Sequence, residues 1–192
     1  SSIVSGTISN YYWNFGDNTS SNQLSPSHTY ATEGTYPVQL ISTSNMGCRD
    51  TVNASATIHP LPIASFTAVN VCAGAPVEFL DASSISMGNI TTWLWDFGDG
   101  TASSSDEPVH IYTVAGSYPV QLSITSAEGC TATYSSNVNV YPNPNAAFLT
   151  TNTCLGNNSN FINQSSVAGG ISFTSAWSFS DGTQSTMANP VH

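Results

Sequence analysis

Lysine is missing altogether and arginine occurs once, at Arg49, against eleven Asp and Glu in 192 residues, for a net charge of −10. A chain with one fixed cation cannot neutralise a run of phosphates, so nucleic acid is excluded as a partner and anionic membrane surfaces are disfavoured. Charge of either sign is scarce: 6% of residues are charged, where a soluble domain carries about 25%. The surface must be made from Ser, Thr, Asn and Gly, which suits a secreted protein; the same scarcity removes cleavage points for trypsin-type proteases. No apolar run approaches the ~20 residues of a spanning helix, so membrane insertion of this segment is not expected, and no signal peptide opens the chain. Helical periodicity is almost absent. So are a Gly-x-Ser-x-Gly elbow, a His-Glu-x-x-His pair and carboxylates paired on cleft-forming elements, so the segment is not expected to be an enzyme.

What the chain does contain is repetition. Trp13-Asn14-Phe15-Gly16-Asp17 returns as Trp95-Asp96-Phe97-Gly98-Asp99 and again as Trp177-Ser178-Phe179-Ser180-Asp181, each time 82 residues on. His28, His110 and His192 share that interval, as do Cys48 and Cys130, Cys72 and Cys154, and Tyr30 and Tyr112. Tyr36-Pro37-Val38-Gln39-Leu40 recurs unchanged as Tyr118-Pro119-Val120-Gln121-Leu122. A fixed period of this length marks tandem structural units. It divides the chain into a partial repeat at 1–60, a complete one at 61–142 and a second partial one at 143–192, with Leu61-Pro62 and Pro142-Asn143-Pro144 at the junctions. The expectation is a window onto a longer array, with the opening strands of the first unit and the closing strands of the third lying outside it.

Within the complete unit, apolar residues alternate with period two and Val, Ile, Thr, Tyr and Phe dominate, the pattern of half-buried strands. Strands are predicted over 64–68, 77–80, 92–97, 109–112, 118–124 and 131–140. About seven short strands in roughly 80 residues argue for an all-β, two-sheet antiparallel sandwich, and the repeats for several such sandwiches placed end to end.

Three residue groups carry a family resemblance. Trp95-Asp96-Phe97-Gly98-Asp99-Gly100, Pro108-x-His110-x-Tyr112 and Gly116-x-Tyr118-x-Val120-x-Leu122 resemble the PKD (polycystic kidney disease-type) domain, an Ig-like β-sandwich. The resemblance covers all three units. The first departs with Asn14 and Asn18 at the Asp96 and Gly100 positions, the third with Ser178 and Ser180. It implies extracellular modules used in series as spacers or adhesive stalks, or appended to secreted hydrolases. The cysteines, as Val71-Cys72-Ala73-Gly74 and Gly129-Cys130, resemble the variant in giant surface adhesins of gliding bacteria that use type IX secretion. Asp50-Thr51-Val52 resembles the short O-glycosylation sequon of such bacteria, with Thr51 as acceptor.

Each chemically suggestive residue has a structural alternative. Trp13, Phe15, Trp95, Phe97, Trp177 and Phe179 could stack on sugars, but alternation turns them to one face and packing in the core is the preferred reading. Trp93, replaced by Tyr11 and Ser175, is expected nearer a sandwich end and is the better candidate for an exposed contact. Asp17, Asp99 and Asp181 are expected to accept backbone N–H bonds in their turns. Asp81, Asp96 and Asp99 are weak candidates for calcium, which needs six to eight oxygens; the resemblance points to the loop at 83–89, which has no carboxylate here. No other metal or cofactor is expected. The three histidines lack ligand partners at short spacing and are expected to bond a neighbouring loop.

Two cysteines per full unit suggest disulfides in an oxidising compartment. In an Ig-like sandwich Cys72 and Cys130 would fall in turns at opposite poles, too far apart for a bridge. Bridges between successive units are therefore favoured for Cys48, Cys72, Cys130 and Cys154, with the in-domain pair and free thiols left open. The leading expectation is a rod-like segment of a secreted cell-surface adhesin or stalk, acting in adhesion or gliding. Its partners would be neighbouring repeats, surface glycans or secretion-machinery proteins. The alternative is an accessory or carbohydrate-binding module of a secreted hydrolase.

Overall fold

The computed structural model describes residues 6–192. In the first repeat β1 (Ile8–Asn14), β2 (Ser20–Ser21), β3 (Gly34–Ser44) and β4 (Arg49–Ile58) form one sheet in the order β2-β1-β3-β4. The middle repeat contributes β5 (Phe66–Thr67), β6 (Val71–Cys72), β7 (Pro76–Glu78), β8 (Leu80–Asp81), β9 (Ile90–Asp96), β10 (Ala102–Ser103), β11 (Val109–Ile111), β12 (Gly116–Ser126) and β13 (Thr131–Tyr141). Of these, β10-β9-β12-β13-β6 make a five-stranded sheet, while β7 pairs with β11 and β5 with β8. The third repeat holds β14 (Phe148–Thr150) paired with β15 (Phe161–Asn163), and β16 (Trp177–Ser178) paired with β17 (Gln184–Ser185). Among the described residues there is no α-helix, only one 3-10 turn at Ala168–Gly170, and no helix long and apolar enough to cross a membrane.

Alternation decides which side chains are covered. Along β9, Trp93 and Trp95 turn inward while Thr92, Leu94 and Asp96 turn outward, and Leu94 is 55% exposed. Inward residues of several strands build a dry aromatic and aliphatic core: Val77, Phe79, Trp95, Val120 and Leu122 are wholly buried, and Tyr112 nearly so. Phe66 meets Trp95 edge-on at 5.1 Å and Phe79 at 6.0 Å, joining the β5–β8 ladder to the five-stranded sheet. Each such side chain contributes about 1.5–3 kcal/mol of burial, so this cluster dominates the stability of the middle repeat.

The strands differ from the expected ones where they are shortest. The stretch 77–80 is two strands, not one: Phe79 breaks the run by donating its N–H to Pro108 O at 3.0 Å, and β7 and β8 then pair with different partners. Within 64–68 the strand is confined to Phe66–Thr67, and Ser65 O accepts the Ala82 N–H at 3.0 Å. Val71–Cys72, expected in a turn, is a strand that pairs in parallel with Val140 and Tyr141 of β13, so the sheet is not wholly antiparallel.

The chain divides into two compact units. One comprises 1–64, 83–92 and 123–133; the other comprises 65–82, 93–122 and 134–192. The division cuts through the middle repeat, and inside the first unit Ser86 Oγ donates to Glu33 Oε1 at 2.9 Å.

Candidate functional site

The repeated polar residues converge at the end of the aromatic strand. After Trp95 and Phe97 the chain must reverse, and Asp96 helps it by accepting the Gly98 N–H at 2.9 Å on Oδ1. Gly98 lies at φ +75°, and a Cβ there would come within 2.7 Å of Pro119 O. Only glycine permits both that conformation and that approach. The first repeat builds the same turn with Asn14 accepting from Gly16 at 3.0 Å. Its Asn18 holds φ +70° where Gly100 holds +88°. Both asparagine departures are thus chemically equivalent: the amide oxygen replaces the carboxylate, and asparagine tolerates the left-handed region.

Asp99 then closes the turn. Its Oδ1 accepts from the Thr101 N–H at 3.0 Å and from Thr101 Oγ1 at 2.6 Å, and its Oδ2 meets His110 Nε2 at 2.7 Å. His110 lies flat on Phe97, with ring centroids 4.3 Å apart, and edge-on to Tyr112 at 4.6 Å. Tyr112 donates its hydroxyl to Phe97 O at 2.9 Å, and Trp95 Nε1 donates to Ser105 O at 2.9 Å. Every one of these contacts recurs in the first repeat: Asp17 with His28 at 2.7 Å, His28 on Phe15 at 4.1 Å, Tyr30 to Phe15 O at 3.0 Å and Trp13 to Gln23 O at 3.1 Å. The third repeats the part it has, with Asp181 and His192 at 3.0 Å, His192 on Phe179 at 4.2 Å and Trp177 to Met187 O at 2.8 Å.

The electrostatics follow from these bonds. Asp17 is held well below the ordinary carboxylate range, at about 2, chiefly by the Thr19 hydroxyl; desolvation opposes this and His28 adds to it. Burial pushes Asp99 up, but the Thr101 and His110 hydrogen bonds and the histidine charge outweigh it and the net shift is down. Asp181 is lowered first by the Thr183 backbone N–H and then by its hydroxyl. Desolvation raises the Tyr112 phenol strongly and the Tyr30 phenol in the same sense, with the neighbouring aspartate adding to both.

Asp, His and a hydroxyl residue in contact invite comparison with a nucleophilic triad, and the geometry rejects it. A triad places the carboxylate on one imidazole nitrogen and the hydroxyl on the other. Here Thr101 Oγ1, at 3.5 Å, and Asp99 Oδ2 face the same nitrogen, Nε2. The threonine proton goes to Asp99, so the assembly clamps a turn and activates no nucleophile. Pairing of Asp with His was not read from the sequence. Its signal was there: Asp17 and His28, Asp99 and His110, and Asp181 and His192 all stand eleven apart.

The other site expectations resolve individually. Trp95 is fully buried, while Trp13 and Trp177 are half-buried. Trp93, the better candidate for an exposed contact, is half-buried and donates its indole N–H to Asp81 Oδ2 at 2.7 Å. In the third repeat the same two positions are Asn163 and Ser175, and the amide donates to the serine oxygen at 2.7 Å. Asp81, Asp96 and Asp99 therefore answer to a tryptophan, a turn amide and a histidine-threonine pair, and among the described residues no three His, Cys, Asp or Glu side chains gather to hold an ion. Thr51 is exposed on β4, with its own N–H on Asp50 Oδ1 at 2.9 Å. Cys48, Cys72, Cys130 and Cys154 are free thiols. Cys72 pairs with Tyr141 at the end of β13 and Cys130 precedes Thr131 at its start. The eleven steps from Cys130 to Tyr141 span about 36 Å, against the ~4.4–6.8 Å between Cα atoms that a bridge needs.

A family model described as the PKD domain matches residues 1–60 and again 59–141. The chain belongs to the PKD domain family. The PKD domain is a non-catalytic module, although PKD relatives come from enzymes. The chain is 42% identical over 73 residues to pre-pro-metalloprotease PrtV of Vibrio cholerae, covering 38% of this chain and 8% of that protein. It is 52% identical over 46 residues to a microbial collagenase of Vibrio alginolyticus, covering 24% of this chain and 6% of that protein. The solved PKD1 domain of the same V. cholerae metalloprotease is 39% identical, with a TM-score of 0.39, covering 42% of this chain and 96% of that one. This PKD chain thus spans less than a tenth of the length of the curated relatives it matches.

Proposed function

We propose that this PKD segment is a non-catalytic accessory module of a secreted hydrolase, working outside the cell. The observation that carries the reading is the use of the repeated Asp, Thr, His and Tyr to hold their own turn: Asp99, Thr101, His110 and Tyr112 bond one another and the backbone. A module so arranged positions what it is joined to and carries out no chemistry of its own. Its PKD relatives include a metalloprotease and a collagenase, which favours an extracellular degradative parent. The test is retention of the 192-residue chain on insoluble protein and polysaccharide, with hydrolysis followed in parallel. Binding to one such substrate without turnover supports the accessory role. Turnover by the chain alone contradicts it.

A second reading rests on the strict 82-residue interval across three copies and the short Pro-bearing junctions. Repetition of that kind suits a stalk or adhesin at the cell surface, where further repeats extend reach and transmit force. Its partners would be neighbouring repeats, surface glycans or secretion-machinery proteins, with cysteine bridges between successive repeats as staples and Thr51 as a glycan acceptor. Further copies beside this segment favour the stalk, while an adjoining catalytic domain favours the accessory module.

A further inference from the structure

We infer that Tyr134 is the outlet for one-electron oxidation of the middle repeat's core, and hence its site of oxidative modification. The rings of that core form an unbroken series, each in contact with the next. Tyr118 stacks on Tyr112 at 4.1 Å, Tyr112 meets His110 at 4.6 Å, and His110 lies on Phe97 at 4.3 Å. Phe97 leads to Phe79 at 5.2 Å, and Phe79 to Trp95 at 5.4 Å. Phe66 then stands between Trp95, at 5.1 Å, and Tyr134, at 5.3 Å, edge-on to both. All of these rings belong to the same compact unit.

The rings differ in what they give up. Benzene and imidazole rings are hard to oxidise, whereas indole and phenol yield an electron readily. Phenol keeps the vacancy best, because it can shed its proton. Trp95 is wholly buried with its N–H donated to Ser105 O, so it passes a vacancy on and cannot lose a proton to water. Two routes lead from Trp95 to a phenol. Towards Tyr112, Phe79, Phe97 and His110 intervene. The Tyr112 hydroxyl is buried, donates to Phe97 O and is held protonated by desolvation. Towards Tyr134 only Phe66 intervenes, and Tyr134 is 39% exposed, so its proton can pass to water. The shorter route ends at the phenol that can let its proton go. The first repeat carries Val52 at this place in the period, so the outlet is not a requirement of the fold.

The electron count closes. A one-electron oxidant such as the sulfate radical anion takes an electron from Trp95 and becomes sulfate. Trp95 recovers an electron from Tyr134 across Phe66, and the Tyr134 hydroxyl releases its proton to water. What remains is an intact indole and a neutral tyrosyl radical at Tyr134, open to coupling with a second radical at the ring carbons beside the oxygen.

The test exposes the full 192-residue chain, its thiols first alkylated so that they do not intercept the radical, to photolysed persulfate with a nitroso spin trap. Peptide mass spectrometry then maps the adducts. Tyr12 and Tyr141 are the internal references, since they stand outside the ring series and are 41% and 46% exposed. Adducts at Tyr134 are expected to exceed those at both references, although Tyr134 is no more exposed than they are. Phe66→Leu, which keeps an apolar side chain there, should bring Tyr134 down to the reference level. Tyr134→Phe should raise the oxidation products at Trp95. Losing one partly exposed hydroxyl leaves the core in place, so this arm reads out even where Phe66→Leu fails to fold. Equal labelling of the three tyrosines, a folded Phe66→Leu chain with Tyr134 labelling unchanged, or Trp95 oxidation unaltered by Tyr134→Phe would overturn the proposal.

Discussion

The single carboxylate of the turn shows how a residue type is chosen. Asp99 must accept from a backbone N–H, a hydroxyl and an imidazole at once, and only an ionised carboxylate has enough lone pairs directed that way. Asp99→Asn should destabilise the middle repeat by about 1–2 kcal/mol, allowing for partial exposure, which urea denaturation would measure. The glycines make a sharper contrast. Gly98→Ala forces a Cβ to 2.7 Å from Pro119 O as well as a strained φ, whereas a Cβ at Gly100 meets nothing within 4 Å. The first substitution should cost upwards of about 2 kcal/mol and the second about 1; equal midpoints would refute the close-approach argument. Asp17 makes the first repeat sensitive to acid. Its carboxyl sits at about 2 when folded, against 3.8 unperturbed. The unfolded chain binds that proton first, so the stabilisation is complete above pH 4 and disappears as the pH falls toward 2. An acid titration of the first repeat followed by Trp13 fluorescence should show the loss in that window, and Asp17→Asn should remove it.

At the scale of elements, alternation made the long strands legible. The predicted stretches 92–97, 118–124 and 131–140 correspond to β9, β12 and β13 to within two residues at each end. Strands of two residues carry no alternation, which is why β6 and β10 were invisible and why the break at Phe79 was missed. The site was half legible. Asp in a turn is a local property that spacing reveals, but its pairing with a histidine eleven residues away depends on the path of the intervening chain. For Trp93 period two assigns a face and not a depth; its indole N–H meets Asp81, which spacing alone does not reveal. The same distinction predicts unequal costs for one motif. Trp95→Ala should cost about 3–5 kcal/mol. Trp13→Ala, half-buried in its own repeat, should cost clearly less, with calorimetry of the two variants as the check. Parity between them would mean that burial does not rank these tryptophans.

For the whole molecule, the thiols are the probe of arrangement. Cys48, Cys72 and Cys154 are exposed and Cys130 is partly covered, so a thiol reagent should titrate three groups ahead of the fourth. After mild oxidation, peptide maps of the 192-residue chain should contain no Cys72–Cys130 bridge, because β13 lies between them; finding that peptide would contradict the strand order. What gives the PKD repeat its identity is then a set of polar residues that serve the fold. The most direct measurement is a double-mutant cycle on Asp99→Asn and His110→Gln, read by hydrogen exchange at the amides of β9 and β12. Faster exchange in both single variants, with the double variant costing less than their sum, is the predicted result. Unchanged protection in both, together with loss of a measurable binding or turnover, would contradict it.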